Sequence, residues 1–418
     1  MSSLVPRVRA LLLVAGQWCA VASLFAVPLN KPATSVALAL SVLFSLLGSD
    51  ARERWLTASR SPIARGALLW WAALMLGWCH AWWATGVRPA VDTVIWACWY
   101  PLVFASLLST SQWRRRALLA LATATGLVML VSYGMDLGLI PQRAVAHDMP
   151  TMRNTVFKEY TQQGLSTLIL GVMALSAALV ARGRKCRIAL VALAVLALAN
   201  VLLVIQSRTA YLVLVPLGLY WAWRLMRSEG WRVRSLAACG ALLVAVPAVV
   251  WYTPTIHQRL FHSMDADAQA YFSERKPSSI GIRLELWRRT MPIVASAPLL
   301  GHGYRQWGPL YRQSIEGLPD FDSFLMGHPH QEMLWIVSEQ GLLGLLVWLG
   351  LLVALARYIG RLESPERGIY ASALLIYLVA GLGNCLWIDF SHRHLFVLLL
   401  ACIPPATGRV LTDRSAHG

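Results

Sequence analysis

Apolar runs of about 15–25 residues with few or no charges recur along the whole chain, near the length needed to cross a hydrocarbon core about 30 Å thick. Twelve can be placed, near 9–28, 33–48, 66–86, 90–109, 117–134, 164–181, 188–206, 209–223, 235–252, 332–356, 369–388 and 395–411. A soluble chain cannot cover its surface with 14% charged and 57% hydrophobic residues, since globular domains carry about 25% charged residues. A soluble globular enzyme, a DNA-binding protein and an extended disordered chain are excluded. The expected fold is an all-α integral membrane protein of about twelve transmembrane helices. The first run follows Arg7 and Arg9 without a small-residue cleavage motif and reads as a retained span.

A net charge of +17 would suggest a nucleic-acid partner in a soluble protein. Here the charge sorts by side instead, and no nucleic-acid partner is expected. With the N-terminus inside, the short inner loops hold Arg52, Arg54, Arg60 and Arg65, then Arg114–Arg116, then Arg182, Arg184, Lys185 and Arg187. Arg224, Arg227, Arg232 and Arg234 follow, and later Arg357, Arg361 and Arg367. This positive-inside pattern predicts two cytoplasmic termini. The chain divides into spans one to nine (1–252), a long, partly helical outer loop (253–329), and spans ten to twelve with a short tail (330–418). The outer side also collects His147, His257, His262, His302, His328, His330, His392 and His394, so chemistry or recognition is expected there. The 19 tryptophans sit mostly near span ends, as interfacial anchors do. The seven cysteines lie in or beside apolar runs without a CxxC pair and read as small core residues. No tandem repeat, Walker A loop, Rossmann fingerprint or HExxH is present, and no cofactor is expected.

Four stretches carry chemistry-bearing residues. Arg208, in Ser207-Arg208-Thr209, lies in a few polar residues between two spans. It either snorkels to headgroups or faces the bundle interior, as costly intramembrane arginines usually do. Next, 279–290 reads as a helix placing Arg283 and Trp287 on one face, with Trp287 and Arg288 on an adjoining stripe. It is either an interfacial amphipathic helix or a phosphate-binding one, since arginine offers a planar fork to phosphate oxygens. The turn Gly301-His302-Gly303 is either an ordinary turn or one whose amides approach a phosphate. Finally, His328-Pro329-His330-Gln331 opens the tenth span. At 100° per residue, Gly341 lies about 20° and Gly344 about 40° from His330, a smooth track below the histidine. A helix N-terminus disfavours imidazolium and keeps His330 able to accept a proton. His328, His330, His392, His394 and Asp389 could ring a metal, but the spacing is of no recognised zinc type and no metal site is expected. Asp389 reads as an arginine partner or as the orienter of His330.

Arginines with a neutral histidine at an outer mouth suit transfer from a lipid-linked diphosphate sugar. Such a reaction needs positive charge on the phosphates and a base for the attacking hydroxyl. In order, Ser207-Arg208-Thr209, Arg283 with Trp287, the Gly301-His302-Gly303 turn, and His330-Gln331 with Gly341 and Gly344 resemble the O-antigen ligases of the O-antigen ligase/polymerase superfamily. The last motif is similar to the ligase pattern H-[NSQ]-x9-G-x-x-G; Leu345 stands where the family often has a threonine close behind. The resemblance implies a GT-C-like fold and an inverting, metal-independent glycosyltransferase of the bacterial inner membrane. It would move O-antigen glycan from undecaprenyl diphosphate to lipid A–core at the periplasmic face. It further implies that Arg208 and Arg283 hold the diphosphate and that His330 is the base. Arg288, His328, Gln331, Trp287, Gly301, Gly303 and Asp389 would line the substrates, with membrane lipids around them. An O-antigen polymerase or a protein O-oligosaccharyltransferase is the alternative, and a lipid-linked oligosaccharide transporter ranks below both.

Overall fold

A computed structural model describes residues 4–143, 154–157, 159–227, 251–258, 263–273, 278–317 and 325–404. Among them every regular element is helical. The first half contains α1 (Leu4–Ala26), α2 (Lys31–Leu47), α3 (Ala51–Ala58), α4 (Pro62–Thr85), α5 (Thr93–Trp96), α6 (Tyr100–Leu107), α7 (Ser111–Asp136) and α8 (Tyr160–Val180). Then come α9 (Arg184–Ala199), a π-helical turn (Asn200–Ile205), α10 (Arg208–Arg227), α11 (Pro254–His257), α12 (Ser263–Phe272) and α13 (Ser279–Ser296). The last are α14 (Trp307–Ile315), α15 (Glu332–Gly360), α16 (Glu366–Ala380) and α17 (Phe390–Ala401).

Six of these helices are long and apolar enough to cross a membrane: α1, α4, α7, α8, α9 with its π turn, and α15. The bent pair α2–α3, folded by 114°, would make a seventh. The ninth apolar run, 235–252, lies almost wholly outside the described residues, as does the end of the twelfth. The run at 90–109 is a set of short helices, because Pro101 and the 3₁₀ turn Ala97–Trp99 interrupt it. Large side chains such as Leu11, Leu76, Trp83, Leu130 and Leu346 point outward, 61–86% exposed. Hydroxyls of Ser23, Thr34, Ser41 and Ser45 are buried and donate to carbonyls three or four residues back. Apolar outside and self-satisfied polar inside is what hydrocarbon demands.

α15 is broken in its middle. Gly341 has φ 66° and ψ −172°, a conformation essentially restricted to glycine, and a Cβ there would stand 2.1 Å from Leu299 O. The break frees backbone groups that the segment 298–303 satisfies. Leu342 and Leu343 N–H donate to Pro298 and Leu299 O, at 2.8 and 3.2 Å. In return, the amides of His302 and Gly303 donate to Ser338 and Glu339 O, at 3.0 and 2.8 Å. Irregular backbone at membrane depth survives only where protein re-satisfies it in this way. The loop before α15 is thereby tied to the span it precedes.

Candidate active site

The segment 278–317 packs a small core of its own: Leu286, Ile293, Trp307, Tyr311 and Ile315. Ser278 caps α13 by accepting the Gly281 N–H at 3.0 Å, and Trp307 Nε1 donates to Thr290 Oγ1 at 2.9 Å. This platform presents Arg283 and Trp287 on one face, one turn apart as the spacing predicts. Trp287 Nε1 donates to Pro329 O at 3.1 Å, pinning α13 to the turn ahead of α15. The field of Arg283 reaches the His330 ring beside it.

That turn is closely specified. Gln331 caps α15 by accepting the Leu334 N–H, and Glu332 N–H donates to Gly381 O at 2.9 Å. His330 takes φ 51°, in the left-handed region that L side chains seldom occupy. Its N–H donates to His328 Nδ1 at 3.3 Å, and the two imidazoles lie 4.3 Å apart between centroids. His330 Nδ1 is buried and has no hydrogen-bond partner among the described residues. Burial, then the charges of His328 and Arg283, push His330 down to about 3. Burial likewise lowers His328 to about 4. Both are neutral at physiological pH, and a neutral imidazole keeps one ring nitrogen without a proton.

Arg208 opens α10, directly after left-handed Gln206 (φ 54°) closes the π turn. Its Nη1 lies 2.8 Å from Asp267 Oδ2 on α12, and both side chains keep 22% of their surface. Ser278 Oγ donates to Asp267 O at 2.7 Å, so Arg208 is linked through α12 to the start of α13. Arg288 is 66% exposed and paired with Glu285 at 2.7 Å, while Arg289 shares the same carboxylate. Burial would raise Glu285, but hydrogen bonds from Arg288, Tyr271 and Arg289 overcome it and hold the group at about 2.

Several expectations need correction. Gly301 and Gly303 do not offer free amides. The Gly301 N–H donates to Ala297 O at 3.0 Å, and Gly303 serves the broken helix. Their missing side chains matter for packing, since a Cβ would meet Glu339 C at 2.5 Å and Ala81 Cβ at 2.6 Å respectively. Gly341 is not part of a smooth track below His330. It is the break itself, and His330 stands outside the helix, so helical angles do not relate the two. Asp389 does not orient His330 either. It caps α17 through Ser391 and His392 N–H, both at 2.9 Å, and accepts from Gln162 Nε2 at 2.7 Å. His392 Nδ1 approaches it to 3.0 Å without hydrogen-bond alignment. Burial acts to raise Asp389, but His392 and the capping amide hold it well below the usual carboxylate range. Its field reaches His328, not His330. Among the described residues no three His, Cys, Asp or Glu side chains are grouped to hold a metal.

Asp267 and Gln162 have partners remote in the chain, which no local pattern reveals, whereas Glu285, three and four residues ahead of Arg288 and Arg289, carries a readable helical spacing. Asp389 ahead of Phe390-Ser391-His392 did carry a readable signal, the preference of aspartate for helix N-caps.

The fold and site together define a helical membrane protein with an arginine- and histidine-bearing cluster where a connecting segment meets the head of a broken span. Residues 192–349 match the family model described as O-Antigen ligase, a stretch holding Arg208, Arg283, His330 and both glycines of the last motif. That match supports membership of the O-antigen ligase/polymerase superfamily, whose members are glycosyltransferase-like enzymes acting on lipid-linked glycans. No curated protein matches the chain.

Proposed function

We propose that this protein is an O-antigen ligase of the bacterial inner membrane. In this reading it has about twelve spans, both termini in the cytoplasm, and its site on the periplasmic face. The donor is glycan on undecaprenyl diphosphate, and the acceptor is a hydroxyl of lipid A–core. The observation that carries the reading is His330, neutral and half-buried, with one ring nitrogen unpaired and a guanidinium beside it.

Arg283 and Arg208 bind the diphosphate and neutralise it as it leaves. For Arg208 this means exchanging Asp267 for a phosphate oxygen of the same charge sign. His330 takes the proton from the acceptor hydroxyl, whose oxygen bonds to the anomeric carbon. The bond from that carbon to the phosphate oxygen breaks, and undecaprenyl diphosphate departs with the electron pair. Displacement in one step inverts the carbon and requires no metal. Charge also strengthens the base: free His330 is depressed partly by Arg283, and an anion on that arginine reverses the effect.

The test is a purified transfer assay with undecaprenyl-diphosphate glycan and lipid A–core, run with EDTA. Wild type should yield a higher-mass lipopolysaccharide, and His330→Ala should lose about 10²–10⁴-fold in rate while reaching the membrane normally. Full activity in that variant would remove His330 as base. Product formed with glycan as acceptor, and none with lipid A–core, would make the protein a polymerase; a peptide acceptor tests the protein-glycosylating alternative.

A further inference from the structure

The His330 backbone is left-handed, and a β-substituted residue adopts that state only when its surroundings hold it there. Three contacts converge on the turn. Trp287 holds the Pro329 carbonyl, Gln331 caps the helix behind, and the His328 ring takes the His330 N–H. The third differs from the other two, because it runs from a side chain to the amide two residues on. That is the hydrogen-bond pattern of an Asx turn, in which Asn or Asp accepts the N–H of residue i+2. Here an imidazole Nδ1 does the work of the Asn oxygen. The same ring lies 4.3 Å from the His330 ring, so backbone and side chain are set by one group.

We infer that His328 is a positioning residue for His330, its Nδ1 holding the left-handed turn that aims the base, and not a substrate ligand. The inference rests on the assignment of His330 as base. To accept the amide, His328 must carry its proton on Nε2, and burial keeps the ring neutral so that Nδ1 can accept. Without the acceptor, His330 relaxes toward ordinary backbone and its imidazole swings off line. A misplacement near 1 Å is worth about 100-fold in rate.

Two substitutions separate positioning from binding. H328F keeps an aromatic ring and removes the acceptor; H328N removes the ring and restores an acceptor in Asx geometry. In the transfer assay, with whichever acceptor wild type uses, H328F should lose about 10–100-fold in kcat with donor KM within about 2-fold. H328N should recover to within about 3-fold of wild type. Equal loss in both variants, or a change in KM alone, overturns the inference. A second measurement needs no substrate. Histidine-selective 15N labelling, with the His328 signals assigned by their absence in H328N, reads the tautomer directly. A proton on Nε2 with Nδ1 accepting is expected, and a proton on Nδ1 of His328 overturns the proposal whichever glycan is transferred. Inactivity of wild type with every acceptor would count against the enzyme reading, and the tautomer would still decide the role of His328.

Discussion

Acidifying the transfer assay should separate the free enzyme from the donor complex. In the free protein, burial and the charges of His328 and Arg283 hold His330 at about 3. In the proposed reading, donor binding brings a diphosphate against Arg283. A unit negative charge about 6 Å from the imidazole, at an effective dielectric near 20, favours imidazolium by about 2.8 kcal/mol, or about 2 pH units. Offsetting the Arg283 charge acts in the same direction. The acid limb of kcat/KM reports the free enzyme and that of kcat the complex. Measured from pH 8 to pH 4.5, kcat should fall below about pH 5–6, while kcat/KM stays nearly level until the protein loses its fold. Arg283→Gln should bring the two profiles closer. Coincident limbs in wild type would refute the coupling between donor charge and base.

Arg283→Ala should raise donor KM and lower kcat together, since the proposed contact would serve both binding and departure of the diphosphate; a change in neither would exclude it from the site. Gly341→Ala should cost more than about 2 kcal/mol, because a left-handed, extended backbone is essentially glycine-only and its Cβ meets Leu299 O. Its melting temperature in detergent should drop, and an unchanged value would mean the break can relax. His328 and His330 sit well below the ordinary histidine value of 6.5, so between pH 6.5 and 4 the unfolded chain binds protons that the native protein refuses. Stability should therefore fall as pH falls, by up to about 1.4 kcal/mol per pH unit for each histidine. Replacing His330 with Gln should flatten that slope in a denaturation series; an unchanged slope would show that other groups set it.

Much of the candidate site's local geometry is legible in the sequence because its pieces are local. The spacing of Arg283 and Trp287 is one helical turn, and the helix formed as read, with Ser278 as its cap. His330 at the head of a span was equally readable, and burial keeps it neutral. The errors share one cause. Gly301, Gly303 and Gly341 look like local features in the sequence, yet they form one joint built from hydrogen bonds between segments about 40 residues apart. Span lengths suffered likewise, since Pro101 and the 3₁₀ turn Ala97–Trp99 divide a run that composition leaves continuous.

Composition and periodicity by themselves determine that this chain is a helical membrane protein, because apolar burial and helix length are settled within each run of residues. They also bring the arginines and His330 into view, since an ionisable residue beside hydrocarbon is costly and therefore conspicuous. Tertiary structure alone decides what each polar group is joined to. It spends the glycine-turn amides on a broken helix, gives Asp389 to Gln162 and the α17 cap, ties Arg208 to Asp267, and sets His328 on the His330 amide. Hydrogen bonds last only where a partner stands within about 3 Å in the right direction, and the folded path of the chain supplies that partner.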